Sequence, residues 1–559
     1  MPEKDPSSKN KDSSKQMTGP EMKRAFDELL KSTGVSDKST QTGRSEQMQD
    51  KVYDLMDLII PQDAGPEDNG GVKITDRIQR FSQQERSTLA RAACTLPEIS
   101  GEPQSWRAHM DTQKIIYVIH ALDSSIAQEL MTKGIGHLKK AIQIVNAEIF
   151  PKMEKDPSYA YNQKMQRVYY LLSLQTNEQG IAVCREAMSR LEKEMITHLG
   201  SKQIIELLRY EENSMAQQQK DVEGNAELTM DKLWQLLPVA LPESLRNKFT
   251  CHDHRILYRT TIGKQPSAWD LTVNGAEIVM RNTENPKALL ASKYRNFLDA
   301  IEKDALDPLL SRALDDEKSE REGRKDLELA ELPEGDVLHL RLFPKKYDVI
   351  LANELRDAAF LSAAMQHRYG ARLKERPIIF SDHPKEALTA EIERGRAEGI
   401  RAVCIDTFSH GSTDKFVFET SFTTADLADV SRLFPDCTLF FGSPACYGAG
   451  TRKGMEQAYR ADPSLASRLH VFMQSKPDMP TPNVTFGDEN GKRQHRATMH
   501  YSHMIRGFFE NDDITYGKVF SDADESVKEK FHSDAEAHWR GNLIARRTMQ
   551  AKEKSNNIT

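Results

Sequence analysis

Two residues in the C-terminal part of the chain have the types that nucleophilic chemistry needs: His410, followed by Gly411, and Cys446, preceded by Ala445. A thiol attacks as its thiolate, which calls for a neighbouring base, and the oxyanion formed by its attack calls for hydrogen-bond donors. Each residue closes an apolar run, RAVCIDTFSHG (401–411) and CTLFFGSPAC (437–446). If the two runs are neighbouring strands, an imidazole and a sulfur come within hydrogen-bonding reach at the sheet edge. The backbone N–H groups of Gly411 and Cys446 then become the oxyanion donors.

The elements around these runs favour that arrangement. YDVILAN (347–353) reads as a buried strand, DAAFLSAAMQHRYG (357–370) as a helix stopped by glycine, and PIIFS (377–381) as a second strand. KEALTAEIERGRAEG (385–399) reads as a helix, the His410 run as a third strand, FTTADLADVSRLF (422–434) as a helix, and the Cys446 run as a fourth strand. Strands alternating with helices predict a mainly parallel sheet in an α/β layer fold, with chemistry at the carboxyl ends of strands.

An apolar strand ending His-Gly, then one ending Ala-Cys, 36 positions apart with one helix between them, resembles the caspase, legumain and gingipain clan of cysteine peptidases. His410-Gly411-Ser412-Thr413 followed by Phe416-Val417-Phe418, and Ala445-Cys446 followed by Gly448 and Gly450, are similar to legumain in particular. The resemblance covers residues 345 to 480. It implies a caspase-like fold, His410 as general base, Cys446 as nucleophile and Gly411 as an oxyanion donor. Legumains carry acidic residues just before the histidine and before the Ala-Cys pair; here those positions are Ser409 and Pro444, which does not favour asparagine specificity. Specificity loops in the clan follow the cysteine strand, which points to 474–486.

Other chemistry-bearing residues read less sharply. Asp406 shares a strand and a face with His410 and is a candidate to orient the base or line a specificity pocket; Asp414 is a weaker one. Cys404 and Cys437 lie inside apolar strands and read as core thiols. Cys251-His252-Asp253-His254 reads as a surface turn, because adjacent ligands diverge and no second cluster stands nearby to complete a metal site. Neither a metal nor another cofactor is expected. His495, His500 and His503 follow the cysteine and would supply the base in a rival reading, an α/β-hydrolase-like elbow at Pro444–Gly448. Lys492, Arg493 and Arg496 form a small basic cluster; some toxin-borne members of the clan are switched on by inositol hexakisphosphate held by such residues.

Upstream, the pattern is helical. Residues 1–20 are polar and read as a disordered leader, and 21–245 as a helical domain whose Met and Leu stripes, such as Ile181, Cys184, Met188, Leu191 and Met195, are core. Residues 246–314 read as an α+β connector in which Trp269–Val273 and Ala276–Met280 flank the turn pair Asn274-Gly275, a β-hairpin spanning 269–280. The charged run 315–335 is a solvated helix or an exposed linker, with self-cleavage there as a hypothesis. The α/β domain then runs 336–548, with a polar tail at 549–559.

Composition bounds the function. A net charge of −7 over 559 residues argues against broad nucleic-acid binding. Six cysteines without a CxxC pair fit a reducing, cytoplasmic compartment. The N-terminus has no apolar signal core and no stretch is long enough to span a bilayer; the leader's composition is similar to that of effectors exported into host cells without signal cleavage. The expectation is a cysteine endopeptidase acting on a protein substrate, with a helical half that recognises substrate, restrains the protease or engages a protein partner. The rivals are an inactive peptidase-like interaction protein and a non-peptidase thiol hydrolase or acyltransferase.

Overall fold

A computed structural model describes residues 82–94, 96, 106–148, 157–224, 230–252, 255–274, 277–328, 331–411, 415–443, 451–473, 483–487 and 493–531. The leader, the expected helices before residue 60, the 549–559 tail, Asp253, His254, Asp414, Pro444, Cys446 and Lys492 lie outside them. The chain divides into two compact units: Met1–Glu148 with Arg167–Ala187, and Ile149–Gln166 with Met188–Thr559.

Up to Ala240 the described regular structure is entirely α-helical. In the first unit, α1 (Gln83–Ala93), α2 (Trp106–Leu122) and α3 (Ser124–Ala147) share a core of Leu89, Ala90, Ile115, Val118, Ile119 and Ala127. Asp123 caps α3 by accepting from the Ser125 and Ile126 N–H groups. Hydroxyl donors from Ser125 and Ser87 hold its carboxyl down to about 2. Two further helices follow, α4 (Pro157–Ser173) and the long α5 (Glu178–Gly224); the latter breaks at Gly200, whose φ of 67° favours glycine.

In the second unit, α6 (Met230–Ala240) leads into an antiparallel meander of β1 (Phe249–His252), β2 (Arg255–Ile262), β3 (Gln265–Asn274), β4 (Glu277–Asn282) and β5 (Leu289–Lys293). The β3–β4 pairing sets Asn274 opposite Glu277, so Asn274 belongs to the ladder although the sequence favours it as the first residue of the turn. Alternation puts Ile256, Tyr258, Trp269, Leu271, Ile278 and Met280 on one face. That face packs on α6, α7 (Tyr294–Glu302) and α8 (Leu306–Glu328). Of the two alternatives for the charged run, most of 315–335 is helix, through Glu328.

The remaining layer is a parallel sheet. Its strands are β6 (Val337–Phe343), β7 (Leu373–Glu375), β8 (Ile379–Phe380), β9 (Ala402–Thr407), β13 (Thr438–Ser443) and β14 (Leu469–Met473), ordered β14-β13-β9-β6-β7 with β8 also on β6. The C-terminal region is therefore α/β with a mainly parallel sheet. One expectation is overturned: 347–353 is no strand, because Val349–Ala352 forms the short helix α9. The first strand is VLHLRLF, whose seven residues are all buried although two are His339 and Arg341. The carboxylate of Asp348 accepts from the Leu351 N–H at 3.1 Å, which closes a helical turn at the point where the sequence suggested extension.

Both faces of the sheet are covered, as parallel strands require. Leu338, Leu340, Leu342, Val403, Ile405, Leu439 and Phe441 pack against α11 (Pro384–Ala397), α12 (Thr424–Leu433) and α13 (Thr451–Ala461). The opposite face meets α10 (Leu355–Tyr369), α14 (Met499–Glu510) and α15 (Tyr516–Phe531), through the ring contacts Phe440–Tyr516 and Phe472–Phe520 among others.

Candidate functional site at the carboxyl edge of the sheet

His410 stands where the sheet's connections diverge. From β6 the chain passes to β7 and β8 on one side, whereas β9, β13 and β14 extend on the other, so the crevice at the carboxyl ends of β6 and β9 is a topological switch point. Asp348 follows β6 and His410 follows β9. Their side chains meet across this crevice, His410 Nε2 to Asp348 Oδ2, at 2.9 Å. The imidazole is 40% exposed, which leaves it open to a ligand, and the carboxylate is more covered at 20%. A neutral imidazole that donates its Nε2–H to the carboxylate presents Nδ1 as its acceptor.

Local packing fixes the histidine's backbone. Phe408, two residues earlier, is fully buried and stacks on Phe343 at 4.6 Å and on Tyr501 at 5.2 Å. Its N–H donates to the Leu342 carbonyl at 2.8 Å. Beyond it, β10 (His410–Gly411) pairs with β11 (Lys415–Val417), and β11 with β12 (Phe422–Thr423), forming a small antiparallel sheet. Phe416 in β11 anchors that sheet on Phe441 of β13, with ring centroids 5.3 Å apart.

The strand leading toward Cys446 is β13, and it lies directly beside β9. The two are parallel, with Gly442 opposite Asp406, and the Ser443 hydroxyl donates to the Thr407 carbonyl at 3.1 Å. His410 lies four residues beyond Asp406 and Cys446 four beyond Gly442. The two chain segments thus leave the same row of the sheet with equal lengths to their candidate residues.

Asp406 is elsewhere. Its carboxylate is 1% exposed, meets His339 Nε2 at 2.9 Å and accepts from the Tyr501 hydroxyl at 3.1 Å. It therefore neither bonds His410 nor faces solvent, and the carboxylate on His410 is that of Asp348. Gly442 makes room for it, since a Cβ there would lie 2.9 Å from Asp406 Oδ1. Ser409 is 4% exposed, with its hydroxyl buried and without a hydrogen-bond partner among the described residues. Gly411 is partly exposed beside His410.

The remaining titratable candidates divide by burial. Burial pushes the Cys404 thiol far up, with Asp406 adding to the effect, and burial beside Asp436 pushes Cys437 up as well. His503 is held down to about 4 by burial and by Arg506. It faces Glu212 inside the fold at 3.6 Å. That environment does not suit the rival general base. Among the described residues no group of three or more His, Cys, Asp or Glu is placed to hold a metal, and no helix is long and apolar enough to cross a membrane.

Sequence reading missed Asp348 and Tyr501. Asp348 carries a signal, an Asp opening a short apolar segment as a helix cap does, but the run VILA after it reads equally as a strand. Tyr501 lies 95 positions from its partner Asp406, and no local pattern joins them.

Fold and site together define an α/β protein with a histidine–carboxylate pair at the switch point of a parallel sheet. No protein-family model matches this chain, and no curated protein matches it at a significant level.

Proposed function

We propose that the C-terminal region is a caspase-like cysteine peptidase in which Cys446 is the nucleophile, His410 the general base and Asp348 the group that orients it. The observation that carries this reading is the 2.9 Å contact between His410 and Asp348, where His410 follows the strand adjacent and parallel to the one that leads toward Cys446. Resemblance to the clan supplies the nucleophile and the peptide substrate; the half-exposed imidazole with a dedicated carboxylate supports the base.

In this mechanism Asp348 fixes the tautomer and ring plane, and Nδ1 takes the thiol proton of Cys446. The thiolate adds to the carbonyl carbon of the peptide, and the oxyanion is bound by the N–H groups of Gly411 and Cys446. The imidazolium then protonates the leaving amine as the C–N bond breaks, leaving a thioester. Water, deprotonated by the same imidazole, hydrolyses the thioester and releases the acid and the thiol. The Ser409 side chain is buried, which does not favour a role in substrate contact.

Turnover of a fluorogenic peptide library tests the reading. Hydrolysis is expected to vanish in Cys446→Ala and His410→Ala and to fall roughly 10- to 100-fold in Asp348→Asn, which keeps the shape but removes the charge. Hydrolysis that survives His410→Ala contradicts it.

A further inference from the structure

The acid that orients His410 is held in place by helices outside the α/β layer. Asp348 opens α9, and Asn353, Glu354 and α10 follow without a break. Two contacts tie this stretch to helices far earlier in the chain. Gln166 Nε2 of α4 donates to Asn353 Oδ1 at 2.9 Å, across 187 positions of sequence. Arg356, at the start of α10, donates from Nη2 to Glu211 Oε2 of α5 at 3.0 Å and to Asp357 at 2.9 Å.

These are not solvated ion pairs. Arg356 is 1% exposed, Glu211 5% and Asp357 fully buried, so each charge depends on its partner for the solvation that water no longer gives. A third tie acts on the strand that precedes Asp348: Arg341 of β6, also buried, pairs with Glu192 of α5. The anionic partner lies on α5 in both ion pairs, and the cation lies on the segment running from β6 through Asp348 to α10. A pattern of buried, geometrically demanding bonds fixes position more than it adds stability.

We propose that α4 and α5 are positioning elements for the catalytic acid, with Gln166 and Glu211 setting the Asp348 loop against His410. The working peptidase unit then includes α4 and α5 rather than starting near 336. The inference rests on the cysteine-peptidase reading of the same site.

The test uses the full chain and the rate of Cys446 alkylation by a peptidyl acyloxymethyl ketone, measured against pH. Gln166→Met keeps the volume and removes the donor; Asn353→Ala removes the acceptor; Asp348→Asn is the reference. A carboxylate beside an imidazole favours the charged ring, so the loss or misplacement of Asp348 moves the acid limb of the profile to lower pH. Both contact variants are expected to react about three- to tenfold more slowly, with the limb displaced in the direction seen for Asp348→Asn and the melting temperature little changed. Profiles that superimpose on the parent protein's, while that of Asp348→Asn is displaced, overturn the role of the helices and leave the peptidase intact. An Asp348→Asn profile identical to the parent's, or no reaction at Cys446 in any variant, removes the underlying site and this inference with it.

Discussion

His339 and Asp406, both shut off from solvent, face each other across β6 and β9 with Nε2 2.9 Å from Oδ2. Tyr501 completes the carboxylate's shell from α14 and also stacks on Phe408, so one tyrosine joins the buried charge to the packing beneath His410.

Removing one partner of this buried pair is expected to strand the other. His339→Leu should cost about 3 kcal/mol of unfolding free energy in urea titrations, because Asp406 loses a donor it cannot replace with water. In a double-mutant cycle, adding Asp406→Asn should cost less than it does alone. Strict additivity of the two substitutions contradicts a direct interaction.

Acid sensitivity should trace to His503. It is held down to about 4 by burial and by Arg506, against an ordinary value of 6.5, with Glu510 opposing and Glu212 facing the ring at 3.6 Å. The folded chain keeps this imidazole neutral while the unfolded chain protonates it. Its contribution is therefore complete above pH 6.5 and declines as the pH falls toward 4, by roughly 3 kcal/mol in all. Urea midpoints of His503→Phe, measured from pH 7.5 to 4, should fall less steeply than those of the parent; equal slopes would show that other groups govern the decline.

Thiol reactivity should be selective. Burial raises the thiols of Cys184, Cys404 and Cys437, so in the native protein iodoacetamide near neutral pH should leave all three unmodified and should reach them once the chain is denatured. Native modification of Cys404 at the rate of a free thiol would contradict the packing of β9.

The alternation of strands and helices from β8 to α12 was legible because each apolar run there is uninterrupted and each helix has a stop or a cap, such as Gly370 after α10 and Thr423 before α12. The first strand was hidden because His339 and Arg341 break its apolar pattern. Both are solvated by partners distant in sequence, Asp406 and Glu192, that no local window contains. The same cause hid the carboxylate on His410. Asp406, one residue before the end of β9, reads as the natural partner, yet it faces inward to His339 and Tyr501, whereas Asp348 arrives from the end of β6. Position along one strand says which face a residue occupies; it does not say which strand stands opposite.

Self-cleavage within the charged run is disfavoured where that run is helical. A peptide enters such a site extended, and α8 keeps residues up to Glu328 helical, while Glu331 is tied to the Tyr369 hydroxyl at 3.0 Å. Intact mass after incubation should show no Cys446-dependent cut within 315–328. A cut within 315–328 that is absent from Cys446→Ala would contradict the helical state of that stretch.

The central claim is that His410, braced by Asp348, generates a thiolate at Cys446. Labelling of the full chain with a peptidyl acyloxymethyl ketone library, followed by mass spectrometry of the modified peptide, tests it most directly. The account predicts a single adduct on Cys446 that is lost in His410→Ala and slowed in Asp348→Asn. An unlabelled Cys446, or an adduct that forms as fast without His410 as with it, would contradict the account.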